Sequence, residues 1–263
     1  MAELHHSDGR SAFGGDAAGY QSARPPYPDW VFAHLGELCG ERLGEAFEIG
    51  PGTGQATAPL LAMGARVTAV EPDARLAEHL RTSLANPQLQ VVVDTFEDAA
   101  LPQAAFGLGL AATSFHWLDQ ASALAKVGRL LRPGGVWAAI ANVFGDSTLP
   151  DAFHDATQGV LGPLPSSPGN AGALPYALDV DARLADLRTA GVFGEFVAER
   201  RNWTLVLDTK GVRSLYATYS HITTRPQDQR ERILDALAEI AEREFVGRVE
   251  RNMVTTLQGA RRR

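Results

Sequence analysis

The short apolar run Phe47-Glu48-Ile49 feeds into Gly50, Gly52 and Gly54, a glycine at every second position of "GPGTG". A turn of this kind after a strand lets the backbone approach a bound nucleotide closely. Two ligand classes use such turns, dinucleotides of the NAD type and S-adenosylmethionine. The dinucleotide fingerprint places its third glycine three residues after the second. Here it comes two residues after, and Gln55 stands where that fingerprint has glycine. Glu48 lies just ahead of the turn, where a carboxylate repels a pyrophosphate but favours the α-ammonium and sulfonium of S-adenosylmethionine. Further on, Glu71 closes "VTAVEP", placed to accept hydrogen bonds from both hydroxyls of a ribose. Nicotinamide enzymes share that last spacing, so the glycines and Glu48 carry the distinction.

Ser114 and His116, in "SFHWLD", follow a fourth apolar stretch and fall at the mouth of the same site. An imidazole titrates near neutrality and can orient a substrate or act as a general base. A histidine beside Trp117 can equally be a packing residue with one satisfied nitrogen. No His and carboxylate cluster has metal-ligand spacing, so no metal is implied. His5 and His6 form only a pair, read as part of a polar leader.

The elements that must position these groups alternate in type. Strands are expected at 46–50, 65–72, 89–95, 106–115 and 136–144. Helices are expected over "GQATAPLLAMG", "DARLAEHLRTSL" with Asp73 as N-cap, and "DQASALAKVGRLL", with "RPGG" as a turn. The glycines of "FGLGLAATSF" weaken the fourth strand. Strand and helix in alternation imply right-handed crossovers and a parallel sheet covered on both faces. After residue 145 the composition shifts. "GPLPSSPGNAGALPYAL" reads as a loop, taken as part of a lid over 146–195. "FVAERRNWTLVLD" alternates as a half-exposed strand does. "RERILDALAEIAEREF" is an amphipathic helix, and "VERNMVTTLQGARR" is a closing strand. The fold class is therefore α/β, a doubly wound Rossmann-like sheet of seven strands, mostly parallel, with an antiparallel strand near the C-terminus. Residues 1–45 would cap the site, 46–145 form the cofactor core, and 196–263 complete the sheet.

A chain of 263 residues with 45% hydrophobic and 21% charged residues reads as an ordinary globular domain. A net charge of −7 and the lack of a basic stripe argue against nucleic acid as partner. The three terminal arginines read as a solvated tail. Without an 18-residue apolar run no transmembrane helix is expected, and the polar, glycine-rich start lacks a signal-peptide core. The single Cys39 excludes an internal disulfide and fits a cytoplasmic protein, with a buried inert thiol expected.

The stretch 47–57, with Glu71 and "LRPGGVW", resembles the class I S-adenosylmethionine-dependent methyltransferases. "FGGDAAGYQSARPPYP", "SFHWLD" and "SLYATYSHI" are similar to their small-molecule, methyltransferase type 11-like branch. The resemblance implies S-adenosylmethionine as cofactor, S-adenosylhomocysteine as product and a small-molecule methyl acceptor. It implies that Tyr20 and Arg24 fold back over the cofactor, with Arg24 able to pair with its carboxylate. It places the adenine against Thr95, Phe96 and Glu97, with Thr95 standing where the family more often has aspartate, and Pro72 beside the ribose acid. Trp117, Tyr216, Tyr219 and His221 would line the acceptor pocket, or else form aromatic core. Alternatives are a protein that binds the cofactor without transferring methyl, and an enzyme that modifies the cofactor itself.

Overall fold

The computed structural model describes residues 17–40, 43–144, 149–162 and 174–263. Helices α1 (Ala17–Ala23) and α2 (Asp29–Cys39) precede β1 (Glu45–Ile49). Then come α3 (Thr57–Ala62), β2 (Arg66–Val70), α4 (Ala74–Leu84), β3 (Leu89–Val92), β4 (Phe106–Ala112), α5 (Gln120–Leu130) and β5 (Leu131–Phe144). The remainder is α6 (Ala152–Leu161), α7 (Val180–Thr189), β6 (Phe193–Asp208), α8 (Thr209–Tyr216), α9 (Ser220–Thr223), α10 (Gln227–Phe245) and β7 (Arg248–Arg262). Most of the proline- and glycine-rich loop expected as a lid, and the His5–His6 pair, lie outside the described residues.

The strands form one seven-stranded sheet in the order β3-β2-β1-β4-β5-β7-β6. The first five are parallel. β7 enters antiparallel between β5 and β6, so the late strands extend the sheet as expected, with the antiparallel member inside and β6 at the edge.

Alternation along β1 sends its side chains to two cores. Ala46 joins Leu35, Leu60, Val67 and Leu108 on the α2–α3 face. Phe47 and Ile49 join Phe106, Val127 and Trp137 on the other. The glycines that weakened the fourth strand have a packing reason: a Cβ on Gly109 would lie 2.3 Å from Phe47 Cζ, so the ring occupies that space. A third cluster forms where Phe153 of α6 and Val212 and Tyr216 of α8 pack on Leu234, Leu237 and Ala241, the apolar face expected of α10.

Local capping agrees with the sequence. Asp73 accepts from the Arg75 N–H at 2.8 Å and Asp119 from the Ser122 N–H at 2.9 Å. "RPGG" differs from expectation, since β5 already begins at Leu131. Pairing jumps from Phe106–Leu131 to Leu108–Val136, which makes the turn an excursion inside the strand. Cys39 is half-buried rather than buried, and burial pushes its thiol up to about 11, which keeps it protonated. Among the described residues no helix is long and apolar enough to cross a membrane.

Candidate cofactor and acceptor site

Strand order reverses between β1 and β4, and a cavity of about 490 Å³ opens beyond their carboxyl ends. That size suits a nucleotide-sized ligand together with a second small molecule. Its walls come from the turns after β1, β2, β3 and β4, from the second half of β5, from α1, and from the segments around Tyr176 and Tyr219.

The glycine turn forms one wall through Gly50 and Gly52. Gly52 has φ +58°, with nothing within 4 Å of a Cβ placed on it, so a ligand can approach its backbone. Gly54 does not reach the wall. Its φ is +89° and a Cβ would lie 2.6 Å from Leu80 Cδ1, so this glycine lets the turn pack on α4. Glu71 lines the cavity and is nearly sealed from solvent. Its Oε2 accepts from the Gly52 N–H and its Oε1 from the Asp73 N–H, both at 3.0 Å. Burial raises its carboxyl above the usual range, against the pull of those two N–H groups. Each oxygen keeps acceptor capacity for a hydroxyl.

Glu48 lies elsewhere than expected. It is fully buried and is not on the wall, because alternation points it to the same side of β1 as Ala46. There its Oε2 accepts from the Thr57 hydroxyl at 2.7 Å, behind the glycine turn. Its Oε1 has no partner among the described residues. Burial pushes its carboxyl up to about 7, with the Thr57 hydrogen bond opposing the rise and the charge of Glu71 adding to it.

Pro72, Thr95, Phe96 and Glu97 line the cavity together. Phe96 stacks on Phe47 with centroids 5.9 Å apart, and Thr95 donates to Asp98 at 2.9 Å. Ser114 donates to the Ile49 carbonyl and so ties the turns after β1 and β4 together. His116 and Trp117 sit in the wall with ring centroids 4.9 Å apart, and Tyr176 lies 6.0 Å from His116.

Tyr20 and Arg24 fold back over the cavity. Gln55 donates to the Arg24 carbonyl at 3.0 Å, which anchors the end of α1 beside the glycine turn. The Arg24 guanidinium lies 5.1 Å from the Tyr20 ring centroid and 4.7 Å from that of Tyr219, and donates to the Thr218 carbonyl at 3.2 Å. Tyr219 and His221 are in the wall, stacked at 5.6 Å. Burial raises the Tyr219 hydroxyl and lowers His221 to about 4, the latter helped by Arg225 and Arg24. Tyr216 departs from its expected place in the pocket. α8 ends there, and its ring is buried in the third cluster with its hydroxyl accepting from Arg251.

Sequence reasoning missed several wall residues. Tyr27 shares a 2.6 Å hydrogen bond with Thr113. Asn142 accepts from Thr255 at 2.6 Å and donates to the Pro26 carbonyl at 3.1 Å. Gln258 donates to the Ala177 carbonyl at 2.8 Å. Only Tyr27, within the quoted "RPPYP", had a local signal. Among the described residues no three His, Cys, Asp or Glu side chains gather as a metal site.

The sheet order, with its cavity at the β1–β4 switch point, defines a Rossmann-like fold. Residues 47–139 match the family of the methyltransferase domain. An uncharacterised methyltransferase of Mycobacterium tuberculosis is 34% identical over 124 residues, 47% of this chain and 49% of that protein. The match thus spans about half the length of that relative. An uncharacterised methyltransferase-like protein of Schizosaccharomyces pombe is 25% identical over 86% of this chain and 84% of its own. A solved structure from Anaeromyxobacter dehalogenans, described as a candidate Type II methyltransferase, superposes with a TM-score of 0.61 at 25% identity, over 90% of this chain and 97% of that one. Together these likenesses support a class I S-adenosylmethionine-dependent methyltransferase, with the methyltransferase domain matched over residues 47–139.

Proposed function

We propose that the protein transfers the methyl group of S-adenosylmethionine to a small-molecule acceptor and releases S-adenosylhomocysteine. The observation that carries this reading is a single cavity with two unlike ends. At one end lie the open backbone of Gly52 and the doubly anchored carboxylate of Glu71. At the other, aromatic and polar side chains follow β4, stand at the end of β5 and project from the Tyr219 segment.

The first end fits the cofactor. Glu71 takes the ribose hydroxyls, and Phe96 presents an apolar face to the adenine beside Thr95 and Glu97. The methionine portion runs along Gly50 and Gly52, with buried Glu48 behind the turn. The bound cofactor supplies an electrophilic methyl group, so the chain's task is to place a nucleophile in line with it and exclude water. α1, pinned by Gln55, closes one side. Tyr176, held by its hydrogen bond to Gln120 and by the Arg183 guanidinium 3.8 Å from its ring centroid, closes another. Of the segment expected as a lid, Pro175, Tyr176 and Ala177 line the cavity. His116 and Trp117 orient the acceptor, and His116 takes its proton where one must leave. The surface charge favours a small molecule over a nucleic acid, and the cytoplasm is the proposed location.

Calorimetric titration with S-adenosylhomocysteine, beside NADH, tests the reading on wild type and Gly52→Asp. Micromolar binding of the first ligand alone, lost in the variant, is expected. Absence of that binding would refute the cofactor assignment. Binding without methyl transfer to any of a panel of small acids and phenols would favour a regulatory subunit.

A further inference from the structure

Three side chains on one wall of the cavity carry buried polar atoms that no described group satisfies: Arg24 Nε, Tyr219 Oη and His221 Nε2. They belong to one stacked arrangement, with the Arg24 guanidinium 4.7 Å from the Tyr219 ring centroid and the His221 ring 5.6 Å beyond. Each can donate a hydrogen bond, and one carries a fixed positive charge. Leaving such groups unpaired in a water-poor site is costly, and an oxyanion is the partner that satisfies several donors at once. From this geometry we propose that Arg24, Tyr219 and His221 form an oxyanion site that receives the carboxylate of an acidic methyl acceptor.

This inference rests on the reading of the cavity as a methyltransferase site, and it narrows the acceptor to an organic acid. The position of the cluster favours the acceptor over the cofactor's own carboxylate. Tyr219 packs edge-on against Phe144, the last residue of β5, with centroids 5.7 Å apart. Glu71, the ribose acid, ends β2, and β1 and β4 lie between these strands in the sheet. Three strand spacings amount to about 14 Å. His221 is uncharged at neutral pH, so of the three side chains Arg24 carries the positive charge, with Arg225 and Arg251 adding to the field around them.

The test is calorimetry on the full chain, with and without saturating S-adenosylhomocysteine. The probes are benzoate and succinate against their neutral amides, benzamide and succinamide. Each acid should bind at least about tenfold more tightly than its amide. Tyr219→Phe, which removes one hydroxyl and little packing, should weaken the acids about fivefold or more and leave the amides and S-adenosylhomocysteine unchanged. Arg24→Gln should abolish the preference and Arg24→Lys restore part of it. Equal binding of acid and amide, or a Tyr219→Phe variant that binds acids like wild type, would overturn the proposal while leaving the cofactor reading intact. If Tyr219→Phe instead weakens S-adenosylhomocysteine but not methylthioadenosine, which lacks the amino-acid carboxylate, the anion is the cofactor's and the acceptor assignment falls. Acid preference in a protein that fails to bind S-adenosylhomocysteine would keep the oxyanion site and sink the cofactor reading.

Discussion

Glu71 Oε2 accepts from the backbone N–H of Gly52 at 3.0 Å, so the acid ending β2 holds the glycine turn that follows β1. Its other oxygen holds the Asp73 N–H at the start of α4. One carboxylate thus fixes two loops and still offers acceptor capacity toward the cavity. Glu71→Gln turns one oxygen into a donor that faces a donor. It should weaken S-adenosylhomocysteine about tenfold, and Glu71→Ala about a hundredfold. Calorimetry reads both. An unchanged affinity in the alanine variant would remove Glu71 from the site.

Glu48 gives a pH signature. The unfolded chain loses this proton in the ordinary carboxylate range, whereas the folded protein holds it to about 7. The folded state therefore binds more protons between those limits, and the contribution of Glu48 to stability is full at low pH and lost as pH rises through about 7. Glu48→Gln is neutral throughout. Relative to wild type it should gain roughly 2 to 3 kcal/mol between pH 5 and pH 8, an order-of-magnitude figure. Thermal melts across that range check it, and parallel curves for the two proteins would refute the account.

The glycines of the turn separate by readout. In Gly54→Ala the new Cβ meets Leu80 at 2.6 Å and Leu84 at 3.1 Å, at φ +89°. Strain and overpacking together should cost about 2 to 4 kcal/mol of stability. Gly52→Ala has open space, so its stability loss should be only about 1 kcal/mol, from the left-handed backbone. Its main effect should fall on cofactor affinity, since the methyl group enters the ligand's space. A Gly54→Ala protein that is fully stable would show that α4 does not seat on this turn.

The half of the cavity proposed for the cofactor was legible because it is local. A strand, a glycine turn and an acid at the next strand's end are all read within 25 consecutive residues, 47–71. Glu48 was legible as an acid beside the turn, but the face it occupies depends on alternation along β1, and that sends it to Thr57 rather than to the ligand. The half proposed for the acceptor was less legible, because its wall is assembled across the chain. Gln258 and Met253 arrive on β7, whose insertion between β5 and β6 no local pattern announces. Tyr176 is held at the cavity in part by Gln120, 56 positions away. The pair Tyr216 and Tyr219 shows the limit best. Three residues apart, they would share a face in a continuous helix. Because α8 ends at Tyr216, one ring turns into the core and the other into the cavity wall.

That divergence separates the two tyrosines by experiment. Tyr216 accepts from Arg251, whose Nε also pairs with Asp151 at 2.8 Å in a buried cluster behind the cavity wall, with the Tyr216 ring 5.1 Å from that of Tyr219. Tyr216→Phe removes one hydrogen bond and should cost about 1 to 2 kcal/mol of stability without changing acceptor KM. Asp151→Ala leaves the Arg251 charge buried without its carboxylate and should cost about 3 to 5 kcal/mol. Tyr219→Phe should do the reverse, since its hydroxyl has no partner to lose among the described residues. Its melting temperature should match wild type while acceptor KM rises. Melting curves beside initial-rate kinetics on these variants decide the matter. A raised KM in Tyr216→Phe with wild-type stability would return that residue to the acceptor pocket and displace Tyr219 from it.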